Sequence, residues 1–329
     1  MAEPVDDARD AFLLPEGVTY LNCAYMGPLP RTAVEAGWSA LDRKARPWTI
    51  TPEDFFAPVE RYRGLIGDLL GLDADGVAVT PSVSYGLSTF AAGLTLSPGD
   101  VVLVPDDEFP SALLPWTDLA ERSGAEVVRV PADGHDRNGP LLDEITARGE
   151  RVALVSVPAN HWTDGAPFDL PALRAATRDV GAALAVDVAQ SLGAAPFDGA
   201  AVDPDVVAGV TYKWLLGPYS LGFAWFAPRW RDGRPLEHSW IGRAGAEDFA
   251  SLTHPSDQHR PGARRYDMGE GSQHNLLPVA LAGIELVSDW DPVTTAAHAR
   301  RLTDRIADGA SALGLGVAPP DLRSPHLLG

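Results

Sequence analysis

Lysine and cysteine are nearly absent from this chain of 329 residues. It has two lysines, Lys44 and Lys213, and one cysteine, Cys23. A single cysteine excludes an intrachain disulfide framework and a cysteine-rich metal site, so we expect no metal centre. Long apolar runs are missing too. No window approaches about 18 uninterrupted apolar residues, so the sequence predicts no transmembrane helix.

Positive charge is also scarce, since 26 basic residues stand against 45 acidic ones and the formal net charge is −19. Such a balance argues against binding to nucleic acid or to an anionic membrane surface, because both require clustered Lys and Arg. Small anions remain possible ligands, because local donors can override the global field. The N-terminal stretch MAEPVDDARDAF is acidic and lacks an apolar core. We therefore expect no signal peptide and a cytoplasmic protein.

Several common enzyme motifs are missing. No GxGxxG follows a predicted strand, and neither GxxxxGK[ST] nor HExxH occurs. The stretch GPYSLG has the wrong spacing for a GxSxG nucleophile elbow. These absences disfavour dinucleotide enzymes, P-loop enzymes, zinc proteases and serine hydrolases.

From residue 64 onward, short apolar runs alternate with helical patterns. This texture predicts an α/β fold with a mainly parallel sheet flanked by helices. The predicted strands are 76–80, 101–105, 126–131, 151–157, 182–188, 206–210 and 222–226, and the predicted helices between them are 84–94, 110–123, 141–148 and 170–181.

The texture changes after Pro228. Residues 229–275 are irregular, and amphipathic helices are predicted over 276–290 and 294–313, followed by the beginning of a strand at 315–318. The ending SPHLLG is apolar and strand-like, so we expect a small α+β terminal domain that is incomplete. The predicted domains are an N-terminal segment over 1–50, a large domain over 51–235 and the small domain over 236–329.

Two strand ends carry groups suited to an anionic or electrophilic ligand. Ser82 begins a helix directly after a strand, where free backbone N–H groups suit a phosphate. The alternative is ordinary N-capping by this serine. Lys213 follows an apolar strand, and a lysine among apolar groups is nucleophilic at neutral pH because its pKa falls. The alternative is a stem packed on aromatics with its ammonium in water.

Two further strand ends carry an acid and an aromatic ring. Asp187 ends the apolar run AALAVDV, where a desolvated carboxylate needs a cation or donors, unless it caps the next helix. Phe109 follows VVLVP and can stack on a planar ring, unless it is a core residue. Pyridoxal 5'-phosphate (PLP) would use all four positions, since it needs a phosphate cradle, a stacking partner, an acid for its ring nitrogen and a lysine for its aldehyde. A sugar- or nucleotide-binding α/β protein without PLP is the alternative.

With these motifs identified, the chain resembles class V aminotransferase-fold proteins of PLP fold type I. The resemblance is to the branch that contains kynureninase, isopenicillin N epimerase and cysteine desulfurases. The residues that carry it are Tyr20–Pro30, Thr80–Gly86, Phe109–Trp116, Asn160–Gly165, Asp187–Gly193 and Tyr212–Gly222.

The resemblance implies roles for individual residues. Lys213 would hold PLP as a Schiff base and shuttle the α-proton of the substrate, and Asp187 would pair with the ring nitrogen. Further cofactor contacts are implied for Ser82, Val83, Phe109, Gln190, Tyr212 and His161, and substrate contacts for Asn22, Tyr25, Asn160 and Trp162. Family members place a substrate-binding arginine in a part beyond residue 329. Arg264 and Arg265 are the nearest cationic candidates here, and the alternative is solvated surface arginines.

The predicted function is a PLP enzyme that acts on a small amino acid by transamination or by lysis of a Cβ bond. A PLP-binding but inactive scaffold is the alternative. We expect no cysteine desulfurase activity, because desulfurases need a mobile cysteine in the later half of the chain, and Cys23 lies in the N-terminal motif. The resemblance also implies a homodimer in which residues near Gly269–Ser272 approach the neighbour's phosphate.

Overall fold

A single seven-stranded sheet organises the molecule. The computed structural model describes residues 5–329, so the first four residues of the acidic N-terminal stretch lie outside the described part. The strands are β1 (Val77–Thr80), β2 (Val101–Pro105), β3 (Glu126–Val130), β4 (Val152–Pro158), β5 (Ala183–Asp187), β6 (Val206–Val210) and β7 (Gly222–Phe226). Their order is β1-β7-β6-β5-β4-β2-β3. Strand β7 runs antiparallel to both neighbours and all other pairs are parallel, which confirms the predicted mainly parallel sheet.

Helices cover both faces of this sheet. The helices of the described residues are α1 (Arg31–Ala45), α2 (Ala57–Leu70), α3 (Val83–Gly93), α4 (Pro110–Ser123), α5 (Asn138–Arg148), α6 (Leu170–Asp179), α7 (Gly199–Val202), α8 (Leu277–Trp290) and α9 (Pro292–Ala312). Helices α1 and α9 pack on α8. Successive strand residues point to opposite faces, so Val77 and Val79 join one apolar core with α2 and α8, while Ala78 joins a second core with α3 and α4.

The chain after residue 312 differs from the prediction. Residues 315–318 form no strand, and the ending SPHLLG is a loop. Leu315 is 61% exposed, so no neighbouring strand covers it. A four-residue apolar run forms a strand only when a sheet edge pairs with it. None of the helices in residues 5–329 combines the length and the apolarity needed to span a bilayer.

A buried ion pair ties the first strand to the segment that follows residue 266. Arg63 on α2 is fully buried, and its guanidinium pairs with Asp267, which is 8% exposed. The same guanidinium donates to the carbonyl of Val77, and Asp267 Oδ1 accepts the N–H of Val79 at 2.8 Å. Both charges are therefore matched by hydrogen bonds in a dry environment.

We expect Arg63→Ala to lower the free energy of unfolding by about 3–5 kcal/mol, because it leaves the Asp267 carboxylate buried without a cation. Urea denaturation measures the change. Arg122→Ala is the control, since Arg122 pairs with Asp118 at 2.8 Å on an exposed face of α4, where a pair contributes about 1 kcal/mol or less. Equal losses in the two variants would contradict this interpretation.

Candidate active site

The predicted catalytic and cofactor-binding residues lie at the edge of the sheet where the parallel strands end. Strand β5 ends at Asp187, which lies level with Pro158 at the end of β4. Strand β2 ends at Pro105, four residues before Phe109, and Lys213 follows β6 by three residues. Ligands of open α/β sheets bind outside the carboxyl ends of the strands, so this edge is the candidate site.

Lys213 is partly buried beside two aromatic rings. Its Nζ lies 5.9 Å from the centroid of Phe109 and 5.8 Å from that of Tyr212. Burial lowers the pKa of the Lys213 ammonium below its usual range, although the Asp187 carboxylate acts in the opposite direction. More of the amine is therefore neutral, and so nucleophilic, than for an exposed lysine.

The loop that carries Lys213 is held by contacts from distant parts of the chain. The N–H of Gly27 donates to the carbonyl of Tyr212 at 2.8 Å, and the N–H of Gly217 donates to that of Thr211 at 2.8 Å. A Cβ atom on Gly27 would overlap the carbonyl oxygen of Lys213. Leu216 has a φ of 52°, a left-handed conformation that costs a non-glycine residue energy. The loop is thus fixed by close packing.

We expect Gly27→Ala to lower the free energy of unfolding by about 1–3 kcal/mol, because the added methyl group displaces the Lys213 loop or the N-terminal segment. Denaturant titration gives the value. The control is Gly64→Ala inside α2, where nothing lies within 4 Å of the added Cβ. That change should be neutral or stabilising by about 0.5–1 kcal/mol. The contact would be unimportant if both variants behaved alike.

Asp187 presents a carboxylate at the end of β5. Its Oδ1 accepts the N–H of Ala189 at 2.7 Å. The residue as a whole is only partly buried, but its carboxylate is surrounded by protein atoms. This burial raises the pKa of Asp187 to about 6, although the Ala189 N–H and the Lys213 ammonium both lower it. The carboxylate is thus ionised at neutral pH and poorly compensated, which suits it to pair with a cationic ligand atom.

Phe109 and Trp162 form an open aromatic wall next to Lys213. Their ring centroids are 5.5 Å apart with planes at 77°, and the residues are 43% and 40% exposed. The alternative of a core phenylalanine is therefore wrong. The indole N–H of Trp162 donates to the carbonyl of Asp107 at 2.8 Å, which fixes the ring. A planar ligand can stack on such a surface.

The start of α3 offers backbone donors. Ser82 Oγ accepts the N–H of Tyr85 at 3.1 Å and lies 2.9 Å from Ser84 Oγ. The N-capping alternative is thus correct as a description of the serine, yet it leaves room for an anion, because the first N–H groups of a helix have no partner within the helix. Val83 is the first residue of this helix.

Gln190 joins three segments. Its Nε2 donates to the carbonyl of Ala24 at 3.0 Å, and its Oε1 accepts the indole N–H of Trp214 at 3.0 Å. His326 Nε2 lies 2.6 Å from the Gln190 carbonyl oxygen, and its ring packs edge-on against Trp214 at 4.7 Å. The predicted contact of Gln190 with the cofactor stays a prediction. The contribution of His326 was missed, since nothing in the sequence signals a contact across 136 residues.

His161 is fully buried in a polar cluster beneath the aromatic wall. Its Nδ1 is hydrogen-bonded to Thr163 Oγ1 at 2.8 Å, and its Nε2 lies 3.1 Å from Asp107 Oδ1. Arg137 binds both oxygens of Asp107, at 2.8 and 3.0 Å. These contacts fasten the loop after β4 to the loop after β2. The predicted cofactor contact of His161 stays a prediction.

The predicted substrate residues differ in their exposure to solvent. Tyr25 is 69% exposed, and its N–H donates to Asn22 Oδ1 at 3.2 Å. Asn160 is buried, and its Nδ2 lies 3.5 Å from the carbonyl oxygen of Gly165. Tyr212, a predicted cofactor contact, packs against Tyr219 with ring centroids 4.7 Å apart and planes tilted by 52°. The substrate roles of Asn22, Tyr25 and Asn160 and the cofactor role of Tyr212 stay predictions.

Arg264 and Arg265 are engaged in ion pairs. Arg264 Nε binds Glu60 Oε1 at 3.0 Å and its Nη1 binds Asp75 Oδ1 at 2.8 Å. Arg265 Nη2 binds Asp232 Oδ1 at 3.1 Å. Their side chains are largely buried, so solvated surface arginine describes neither of them. A substrate role stays a prediction, and the geometry favours a structural role instead.

The carboxyl edge of this mainly parallel sheet brings together a lysine of lowered pKa, a strand-end acid, an open aromatic wall and a helix N-terminus, an arrangement that suits a PLP-dependent enzyme. The chain belongs to the aminotransferase class-V family, whose model matches residues 51–309. The cofactor of these enzymes, and of this chain, is pyridoxal 5'-phosphate. The hypothesis of a sugar- or nucleotide-binding protein without PLP is therefore wrong.

Known proteins similar to the chain carry several activities. It is 28% identical over 313 residues to an isopenicillin N epimerase of Streptomyces clavuligerus, covering 91% of this chain and 76% of that protein. It is 29% identical over 285 residues to a kynureninase of Burkholderia mallei, covering 81% of this chain and 64% of that protein. The chain thus spans less than two thirds of the kynureninase.

Solved structures share the fold. An apo cysteine desulfurase from Thermococcus onnurineus NA1 matches with a TM-score of 0.83 at 21% identity, covering 99% of this chain and 82% of that chain. The cystine C–S lyase C-DES, in complex with cysteine persulfide, matches with a TM-score of 0.82 at 20% identity, covering 93% and 83%. At this identity the likeness concerns the fold alone.

Proposed function

We propose that the protein is a PLP-dependent enzyme that binds its cofactor covalently through Lys213 and acts on a small amino acid, by transamination or by cleavage of a Cβ bond. The observation that carries the proposal is that Lys213 Nζ, whose pKa is lowered by burial, lies 5.9 Å from the centroid of the Phe109 ring and interacts electrostatically with the Asp187 carboxylate. The other lysine, Lys44, is exposed on α1.

The residues of the site fit PLP. The open ring of Phe109 would stack on the cofactor, and Asp187 would hold its ring nitrogen as a cation. The start of α3, with Ser82 and Val83, would bind the phosphate through backbone donors and the helix dipole. When bound, PLP supplies an electron sink that makes the Cα–H bond of an amino acid easier to break.

The chain's own residues would complete this chemistry. Lys213 Nζ, partly neutral because of its burial, is the base that would take the proton from Cα and return it. Asp187 would keep its negative charge beside the cofactor throughout. Trp162, held by the Asp107 carbonyl, would shield one side of the reacting centre from water. These steps are common to transamination, racemisation and Cβ cleavage, so they leave the outcome to the substrate side.

Sulfur transfer is not part of this proposal. Cys23 is the one cysteine of the sequence, and burial raises the pKa of its thiol. The thiolate is the nucleophilic form, so a raised pKa makes this residue a poor sulfur acceptor at neutral pH. Release of alanine and persulfide from cysteine would contradict this view.

A screen of amino acids decides between the possible reactions. Purified holoprotein is mixed with each amino acid, and keto-acid formation, release of ammonia or alanine, and loss of optical rotation are assayed separately. Steady formation of a keto acid would assign transamination, and steady release of ammonia or alanine would assign cleavage of a Cβ bond. Either result supports the proposal. A yellow protein whose spectrum no amino acid alters would support an inactive scaffold instead.

We also propose a cytoplasmic homodimer in which Gly269–Ser272 approaches the partner's phosphate. Glu270 is the exposed residue of this segment and Gly271 and Ser272 are buried, while Gly269 donates its N–H to Glu237 Oε2 at 2.6 Å. The segment borders an open pocket together with Lys44, Trp240 and His274. Light scattering at micromolar concentration tests the dimer, and a monomer would contradict it.

A further inference from the structure

Glu108 places a buried carboxyl group beside the aromatic wall. The residue is 5% exposed. Its Oε1 accepts the N–H of Phe109 at 2.6 Å, whereas its Oε2 is buried and has no hydrogen-bond partner in residues 5–329. An ionised carboxylate in this setting would leave most of its lone pairs without donors, at a high desolvation cost.

The charged groups around Glu108 do not compensate for an anion. Two of the three are negative, namely Asp187 and Asp107, and the third is Arg137. Arg137 binds Asp107 through two hydrogen bonds and Asp164 through two more, at 3.1 and 2.8 Å, so its charge is already matched. No cation of the described residues forms an ion pair with Glu108.

Building on the proposed function, we propose that Glu108 is a positioning residue of the cofactor site that acts as a neutral carboxylic acid: it fixes the backbone of Phe109 and leaves Asp187 as the charged carboxylate of the pair. The proton lies on Oε2, because Oε1 already accepts a hydrogen bond. Oε2 is thus a buried donor for which the described residues offer no acceptor.

The proposed cofactor site requires one negative charge, which would hold the ring nitrogen of PLP as a cation. Two nearby carboxylates cannot easily both ionise, so the environment decides which of them keeps the proton. Burial and, as the smaller cause, the Asp187 carboxylate together raise the pKa of Glu108 to about 8. The pKa of Asp187 is raised only to about 6. At neutral pH, Glu108 therefore holds the proton and Asp187 the charge.

Thermal unfolding of the full chain stripped of cofactor tests the protonation state. Folding raises the pKa of Glu108 from its ordinary value to about 8. Between these two pH values the folded state keeps the proton and the unfolded state loses it, so the free energy of unfolding falls as the pH rises through this range. Glu108→Gln carries no titrating proton. At each pH, the melting temperature of the unaltered chain is subtracted from that of Glu108→Gln. We expect this difference to be about 4 °C or more larger at pH 9 than at pH 5.

The matched control is Glu121→Gln, which alters an exposed glutamate on α4. Its melting temperature should follow that of the unaltered chain at both pH values. If Glu108→Gln also follows the unaltered chain, Glu108 does not titrate in this window and the proposal is overturned.

Cofactor affinity tests the positioning role. Glu108→Gln keeps a neutral acceptor for the Phe109 N–H, so its Kd for PLP should stay within about threefold of that of the unaltered chain. Glu108→Ala removes the acceptor and should weaken binding about tenfold. Equal weakening in the two variants would show that the negative charge is required and would overturn the proposal. If PLP does not bind the unaltered chain, the proposed function fails, while the melting comparison still decides the state of Glu108.

Discussion

Replacement of Lys213 by arginine should abolish covalent attachment of PLP and lower the turnover of any amino-acid substrate at least about a thousandfold. Arginine keeps the positive charge and is slightly longer, but its guanidinium cannot lose a proton near neutral pH and cannot attack an aldehyde. The variant also loses the base for the Cα proton, and general acid–base catalysis alone contributes roughly 10²–10⁴-fold. The measurements are the yellow absorption band and the rate with the best amino acid from the screen.

Lys44→Arg is the matched control, because it makes the same change at the only other lysine. Lys44 is exposed on α1, so the variant should keep the absorption band and the rate. If Lys213→Arg retained a borohydride-reducible cofactor, or if Lys44→Arg lost it, the assignment of the attachment residue would be wrong.

The second large effect concerns Asp187. Asp187→Asn keeps the shape of the side chain and can still accept the Ala189 N–H, but it removes the charge that would hold the ring nitrogen of PLP protonated. We expect the rate to fall about 10²–10³-fold, the usual loss when one preorganised electrostatic group is removed. Steady-state kinetics measure it, and Asp179→Asn at the exposed end of α6 is the control.

The same carboxylate predicts a pH dependence of cofactor affinity. The pKa of Asp187 in the cofactor-free chain is raised to about 6, so below that pH the residue is protonated and no longer attracts a cationic ring. The Kd for PLP should therefore increase as the pH drops from 7 to 5 in the unaltered chain, and by much less in Asp187→Asn. The same slope in both proteins would assign the effect to the cofactor or to other residues.

The central sheet could be predicted because most of its strands are continuous apolar runs in the sequence. Apolar runs such as 101–105 and 206–210 are buried on both faces, and their bounds agree with those of β2 and β6. The bounds of the helices α1 and α2 were not predicted. Their apolar residues are interspersed with charged ones. Arg63 occupies a buried position on α2, and its burial could not be predicted because its partner, Asp267, is about 200 residues away in the sequence.

The candidate site could be predicted as far as it depends on strand ends. Topology places Asp187, Lys213 and Phe109 at one edge, and single residues at those positions carry recognisable chemistry. The supporting contacts could not be predicted, because they join residues far apart in the chain. Gly27 packs on Lys213 across 186 residues of sequence, and His326 reaches Gln190 across 136. Such contacts follow from packing and leave no local pattern.

The role of Glu108 shows the same limit. The sequence places an acid next to Phe109, but an acid at that position is equally compatible with a solvated loop. Only the burial of the carboxyl group and its unpaired Oε2 distinguish a neutral positioning acid from a surface charge.

The most direct test of the central claim is to locate the cofactor on the unaltered chain. Holoprotein is reduced with borohydride and digested, and the peptides are mapped by mass spectrometry. The account predicts that the pyridoxyl group is recovered on Lys213 alone, in the peptide that contains VTYKWLLGPYSLGF. Recovery on Lys44, or a reduced protein with no modified lysine although PLP was bound, would contradict it.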